Sequence, residues 1–299
     1  MNYRRNFYEN STLDRAAHLR EDEDWYRQTI VSIETRILPV WRSQSFVSGV
    51  EGPDLAHLTG EDLGQLDHEA AFLGLVDDTP YFAMDFSRHE DPGLSAHGEF
   101  HDLRAVGPQM TANQGALAAY ARGILHWHRR HQFCGRCGWP TVSVWAGHKR
   151  NCSNPDCNLD HFPRTDPAVI MLIHDDQNRV LMARHPNWAE GLHSVLAGFV
   201  EPCESLEQAV AREVYEEAGI RITDIRYHSS QPWPFPSNIM LGFTARALKT
   251  DLTLDPNELA EACWMTPEEL RNSPENETFS LPRPDSISRV LIEDWIHRH

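Results

Sequence analysis

At 299 residues the chain has room for two or three compact units. Hydrophobic residues make up 40% and charged residues 24%, a globular balance that excludes a disordered or collagen-like chain. With 27 Lys and Arg against 44 Asp and Glu the net charge is −17, which argues against nonspecific polyanion binding, so a phosphorylated ligand must be met by local donors or bound metal.

No apolar segment follows the polar opening Met1–Asn10 to serve as a signal peptide. Nor does any stretch approach the roughly 18 apolar residues of a membrane span. A cytoplasmic protein with no membrane partner is expected. Residues 1–130 alternate apolar and polar in Arg36–Trp41 and Phe72–Val76, then turn at Asp77-Asp78-Thr79-Pro80 into Tyr81–Phe86, which predicts an antiparallel sheet. The alanine-rich Asn113–Arg130 predicts a helix. Its end, His126-Trp127-His128-Arg129-Arg130-His131, reads as a partly exposed terminus whose cations complement the helix dipole.

Residues 131–165 carry Cys134-Gly135-Arg136-Cys137 and, 14 residues on, Cys152-Ser153-Asn154-Pro155-Asp156-Cys157. Thiolates on two such knuckles can converge on one tetrahedral zinc, and four of them leave no open position for catalysis, so a structural clip is expected. Disulfides are the alternative, disfavoured in a reducing compartment. His148 and His161 are close enough in sequence to replace one cysteine. Cys203 and Cys263 have no motif around them, and Cys263 is expected in the core.

From Pro167 the pattern turns to apolar strands at Ala168–Ile173, Val180–Ala183 and His193–Val200. A helix follows at Leu206–Ala218, with Ser205 and Gln208 spaced as a capping box and Gly219 placed as its stop. Strands at Ile222–His228, Ile239–Ala247 and Ala262–Met265, a helix start at Thr266-Pro267-Glu268-Glu269 and a closing helix at Ser286–Ile296 complete a mixed α and β half.

Gly198-Phe199-Val200-Glu201-Pro202-Cys203-Glu204 leads, after seven residues, into Arg212-Glu213-Val214-Tyr215-Glu216-Glu217-Ala218-Gly219-Ile220. On a helix Glu213 and Glu217 share one face, with Glu216 beside them. The repulsion between them disappears if magnesium or manganese sits among their oxygens, and water on such ions is more easily deprotonated to attack phosphorus. The plainer reading is an exposed amphipathic helix with solvated carboxylates.

The full run resembles the Nudix signature, with every required position filled. The resemblance implies an α+β fold, a Nudix α/β/α sandwich over residues 166–299, preceded by a zinc ribbon at 131–165 and a mixed, mainly β domain at 1–130. It implies Glu213 and Glu217 as metal ligands, Glu216 as a ligand or proton acceptor, a Glu204–Arg212 salt bridge as support, and the Ala197 carbonyl as a further ligand. Cys203 stands where related sequences often have Gly, which restricts positive φ there.

Beyond the box lies Ser230-Gln231-Pro232-Trp233-Pro234-Phe235-Pro236-Ser237-Asn238. Its alternate prolines stiffen a segment presenting two aromatic faces, suited to a packed loop, a polyproline ligand or a substrate contact. With the box and ribbon it resembles the NADH pyrophosphatase group. That resemblance implies NADH or NAD as substrate, cleaved to AMP and nicotinamide mononucleotide, with Gln231 to Asn238 along the dinucleotide. It also implies Glu258 as a metal ligand, Phe162 stacked on a base, Ser288 near the substrate, and a homodimer. NAD-capped RNA is a second substrate in related enzymes, and on this acidic chain it needs a local basic path. Competing readings are a Nudix hydrolase for ADP-ribose or diadenosine polyphosphate, and a silent zinc-ribbon adaptor. No Gly-x-Gly-x-x-Gly follows a strand, so NAD enters as substrate and not as redox cofactor.

Overall fold

The computed structural model of the protein describes residues 6–9, 12–49, 52–63 and 69–299, so most of Met1–Asn10 lies outside the described residues. Contacts form two compact units, one of residues 8–165 with Trp233–Ser237, the other of 166–232 and 238–299 with Asn6 and Phe7. No described helix is long and apolar enough to cross a membrane.

The unit holding residues 8–165 contains α1 (Glu23–Ile30), β1 (Arg36–Trp41), β2 (Gln44–Ser48), β3 (Asp54–Leu55), β4 (Ala70–Val76), β5 (Thr79–Asp85), β6 (Glu99–His101), α2 (Leu103–Val106) and α3 (Ala112–Arg130). The sheet runs β3-β2-β1-β5-β4, with β6 on β2. The expected all-antiparallel sheet is corrected here: β1 and β5 are parallel, with Ile37 opposite Phe82. Alternation decides which face a side chain joins and is the same for either strand direction. The turn is also shorter than expected. Asp77 and Asp78 take it alone at φ 47° and 63°, and Thr79 and Pro80 already belong to β5.

Leu38, Val40, Leu73 and Ala83 pack with Leu117, Ala121 and Ile124 of α3, while Ile37, Phe72, Phe82 and Met84 pack with Leu58, Trp25 and Tyr26. The His126–His131 run is a partly exposed helix end, as expected. Trp127 is buried, Arg129 pairs with Asp85 at 3.0 Å, and His128 bonds the Gly147 carbonyl at 2.8 Å. Ribbon strands β7 (Thr141–Val144), β8 (Lys149–Cys152) and β9 (Asp160–His161) follow.

Two histidines, His148 buried and His128 half-buried, tie the ribbon to the sheet and to α3. Arg150 can only donate, so its 2.9 Å contact to His128 Nδ1 leaves the proton on Nε2, which donates to Gly147. His148 Nε2 donates to the Phe72 carbonyl at 2.6 Å. Burial pushes both imidazoles down to about 4. Unfolded histidine takes its proton near pH 6.5 and the folded pair only near 4, so the unfolded chain binds more protons in between. Stability from these groups is complete above about pH 6.5 and falls as pH drops toward 4, by about 3 kcal/mol per site at most. Glu217 is shifted the opposite way, so the check is a difference: His148→Gln should lose less urea stability than wild type between pH 7 and 4.5. Equal losses would remove His148 from the account.

The other unit contains β10 (Asp166–His174), β11 (Val180–Arg184), β12 (Leu196–Phe199), α4 (Leu206–Ala218), β13 (Ile222–Trp233), β14 (Asn238–Ala247), β15 (Glu261–Met265), α5 (Pro267–Arg271) and α6 (Ile287–Arg298). Its sheet runs β13-β14-β10-β11-β15, with β12 on β10. β10 is apolar on both faces because both are covered: Val169, Met171 and Ile173 meet Val210 and Val214 of α4, while Ile170 and Leu172 meet Leu291 and Ile292 of α6. This is the α/β/α sandwich of an α+β chain. Cys263 is corrected from core to exposed, since on β15 its neighbours Ala262 and Trp264 turn inward at period two.

Candidate active site

α4 begins on a complete Ser205–Gln208 capping box and ends on Gly219 in the left-handed conformation, φ 71°. Arg212 is the hub of the acidic box. It forks onto Glu204 at 2.8 and 2.9 Å, reaches Glu213 at 2.8 Å and Glu216 at 3.0 Å, and donates to the Phe199 carbonyl at 2.8 Å. Bonding to Glu204 first, then Glu213 and Glu216, raises its pKa further above the ordinary arginine value, and Glu204 is held below the usual carboxylate range. The loop that delivers Glu204 contains Cys203 at φ 67°, so a cysteine sits in the left-handed region where a Cβ is strained.

Glu217 stands apart. Its residue is 8% exposed, and no hydrogen bond or ion pair to its carboxylate is present among the described residues. Burial first, then the charges of Glu213, Glu258 and Glu216, push it up to about 8. Burial likewise raises Glu213. Glu258 reaches this neighbourhood because its loop is pinned to the end of α4: Asp255 N–H donates to the Glu217 carbonyl and Thr253 N–H to that of Ala218, at 3.0 and 2.9 Å. Three carboxylates, Glu204, Glu213 and Glu216, therefore share one guanidinium, and the buried Glu217 has none. Hard divalent cations fit such a donor set. Ala197, exposed on β12 opposite Ile170, leads directly into Gly198.

Gly198 is the seat of Glu213. A Cβ there would lie 1.9 Å from the Glu213 carboxyl carbon. Because that carbon ends a flexible side chain, Gly198→Ala should shift Glu213 at small cost in stability. Activity should fall roughly 10–100-fold, the range for displaced groups around a metal. Unchanged turnover in the folded variant would show that Glu213 can relocate freely.

The remaining sequence-derived residues divide. Gln231 is 0% exposed, its amide donating to the Asp285 carbonyl at 2.8 Å and accepting from Ile287 N–H at 2.7 Å, so it fastens β13 to the start of α6. Ser288 is buried against Ser194 at 2.7 Å. Asn238 opens β14 opposite Asp166. Pro232 is exposed at the end of β13. Trp233, Pro234, Phe235, Pro236 and Ser237 group with residues 8–165. There Trp233 and Phe235 pack edge to face at 5.0 Å, and Tyr8 meets both at 5.9 and 6.2 Å. Phe162 is 52% exposed, edge-on to Trp145 at 6.4 Å, beside a groove lined by Arg130, Arg136 and Arg164.

Cys134, Cys137, Cys152 and Cys157 place their sulfurs within 4.8 Å of one another, the only such ligand group among the described residues. This geometry matches a structural zinc site and no disulfide. His148 is turned away to Phe72. Sequence reasoning missed Arg104 and Arg122, whose guanidiniums lie 4.4 and 5.2 Å from the Phe235 ring centre.

Family models match three successive stretches: an NADH pyrophosphatase-like rudimentary NUDIX domain at residues 34–127, an NADH pyrophosphatase zinc ribbon domain at 129–162 and a NUDIX domain at 164–283. The chain is 40% identical over 239 residues to the NAD-capped RNA hydrolase NudC of Mycobacterium bovis, covering 76% of this chain and 75% of that protein. To the NAD-capped RNA hydrolase NUDT12 of Macaca fascicularis it is 31% identical, covering 97% and 73%. To Nudix hydrolase 19, chloroplastic, of Arabidopsis thaliana it is 39% identical over 79% of this chain, and it spans 57% of that protein's length. Identity at this level across three quarters of a relative, with rudimentary domain, ribbon and catalytic domain matched in the same order, means that the chain belongs to the NADH pyrophosphatase group of the Nudix hydrolases.

Proposed function

We propose that the protein hydrolyses the pyrophosphate bond of NADH or NAD to AMP and nicotinamide mononucleotide, and that it removes NAD caps from RNA 5′ ends. The observation that carries this reading is Glu217, a buried carboxylate without a cation, set among Glu213, Glu216 and Glu258. Magnesium or manganese held by Glu213, Glu217, Glu258 and the Ala197 carbonyl would supply Lewis acidity and an easily deprotonated water. Glu216 is 58% exposed on its side chain and tethered by Arg212, so it can take up a proton and release it to solvent. Arg212 keeps Glu213 and Glu216 in one orientation while Glu204 holds Arg212. In this reading Phe162 and the segment from Gln231 to Asn238, with Ser288, serve the dinucleotide, the buried Gln231 and Ser288 by holding the backbone around it. The domains divide near residues 130 and 165.

The test is product analysis with magnesium or manganese, comparing NADH, NAD-capped RNA, ADP-ribose and diadenosine polyphosphate. Release of AMP from NADH at the highest kcat/KM supports the proposal. Preference for ADP-ribose or the diadenosine compound would reassign the substrate, and binding of NADH without release of AMP would make the chain an adaptor. The proposal includes a homodimer in the cytoplasm, a reducing setting that suits the cysteine quartet. A monomeric mass by light scattering would remove the dimer.

A further inference from the structure

The loop between β13 and β14 belongs by its contacts to the unit built from residues 8–165, although both flanking strands lie in the other unit. The cause is a cluster of specific interactions around Phe235. Phe235 is 9% exposed, with Arg104 at 4.4 Å and Arg122 at 5.2 Å from its ring centre. Arg122 also donates from Nε to the Pro234 carbonyl at 2.8 Å and from Nη1 to the Ser43 carbonyl, linking the loop to the residues just before β2. Tyr8, buried against Gly107, meets both Trp233 and Phe235 edge-on.

A loop needing only a hydrophobic seat would use aliphatic neighbours. Two guanidiniums over one ring give directional attraction as well as burial, and the Pro234 bond fixes the backbone between the two aromatic residues. We propose that Arg122 and Arg104 are positioning residues for substrate selection, through which the N-terminal domain, lacking an acidic box of its own, holds Trp233–Ser237 in the form that binds the dinucleotide. This rests on the reading above that the segment binds NADH. If the loop samples other forms once the anchor is cut, apparent affinity falls in proportion to the fraction still competent. Chemistry at Glu213–Glu217 is untouched.

The experiment compares steady-state NADH hydrolysis by the full chain with Arg122→Ala, Arg104→Leu, Arg122→Lys and Trp233→Ala, with melting temperatures measured in parallel. Arg104 is exposed, so Arg104→Leu keeps the test open if Arg122→Ala does not fold. The expected result is KM raised about tenfold in Arg122→Ala and Arg104→Leu with kcat within about twofold, and partial recovery in Arg122→Lys, which keeps the cation. A merely structural role would lower the melting temperature without this split. Unchanged KM in a folded arginine variant, with KM raised in Trp233→Ala, would overturn the inference alone. A fall in kcat at constant KM would also overturn it. Unchanged KM in Trp233→Ala would instead remove the substrate role of the loop, and this inference with it.

Discussion

Replacing Glu217 by Gln is expected to cut hydrolysis by about 100- to 1,000-fold while leaving the metal-free protein as stable as wild type, or more so. The two halves of this result have one cause. Without metal, Glu217 pays for burial among Glu213, Glu258 and Glu216, which is why its carboxyl is pushed up to about 8. Glutamine keeps the shape and removes the charge, so repulsion is relieved where it was greatest. In the proposed reading that charge is what a bound metal requires, and its loss should lower kcat on the order of 100- to 1,000-fold, as for other removed groups that stabilise transition-state charge. Thermal unfolding separates the two: added magnesium or manganese should raise the wild-type melting temperature, because a ligand that binds only the folded state stabilises it, and should leave Glu217→Gln unmoved. Retained turnover in the variant would end the assignment of Glu217 as a ligand.

That residue was visible in the sequence for a physical reason. The acidic box is a local arrangement, in which the Ser205–Gln208 cap and Gly219 fix the ends of α4 and the helix period puts Glu213 and Glu217 on one face. Local rules also located the cysteine knuckles. What stayed hidden depends on distance along the chain or on strand direction. Arg122 meets Pro234 across 112 positions, with no spacing rule to connect them. The parallel pairing of β1 and β5 leaves the same alternating pattern as an antiparallel one. Glu258 could be named by resemblance, but the backbone bonds from Thr253 and Asp255 that bring its loop to α4 carry no side-chain signature. Cys203 shows the converse, a residue disfavoured at its φ of 67° and kept there by the loop around it.

Removing zinc should have an effect as large as removing Glu217, on stability and not on chemistry. The ribbon has three short strands, and its large apolar side chains Phe133, Trp139, Val142 and Phe162 are exposed, so it has little core with which to offset the entropy of ordering. Four sulfurs within 4.8 Å repel as thiolates unless an ion lies between them. A structural zinc site supplies about 10–16 kcal/mol in small domains, more than most domains hold in net stability. Loss of the ion should spread, because the ribbon is bound into the adjoining sheet: Phe72 N–H donates to the Ala146 carbonyl at 2.8 Å, Arg150 pairs with Glu69 at 3.0 Å, and His148 bonds Phe72. Cys137→Ser should therefore lose zinc by elemental analysis and unfold at lower temperature, by roughly 2–4 °C for each kcal/mol lost. Chelation of wild type should lower its melting temperature in the same direction. A wild-type protein that contains no zinc, and a Cys137→Ser variant that melts with it, would show that thiol packing alone holds the ribbon.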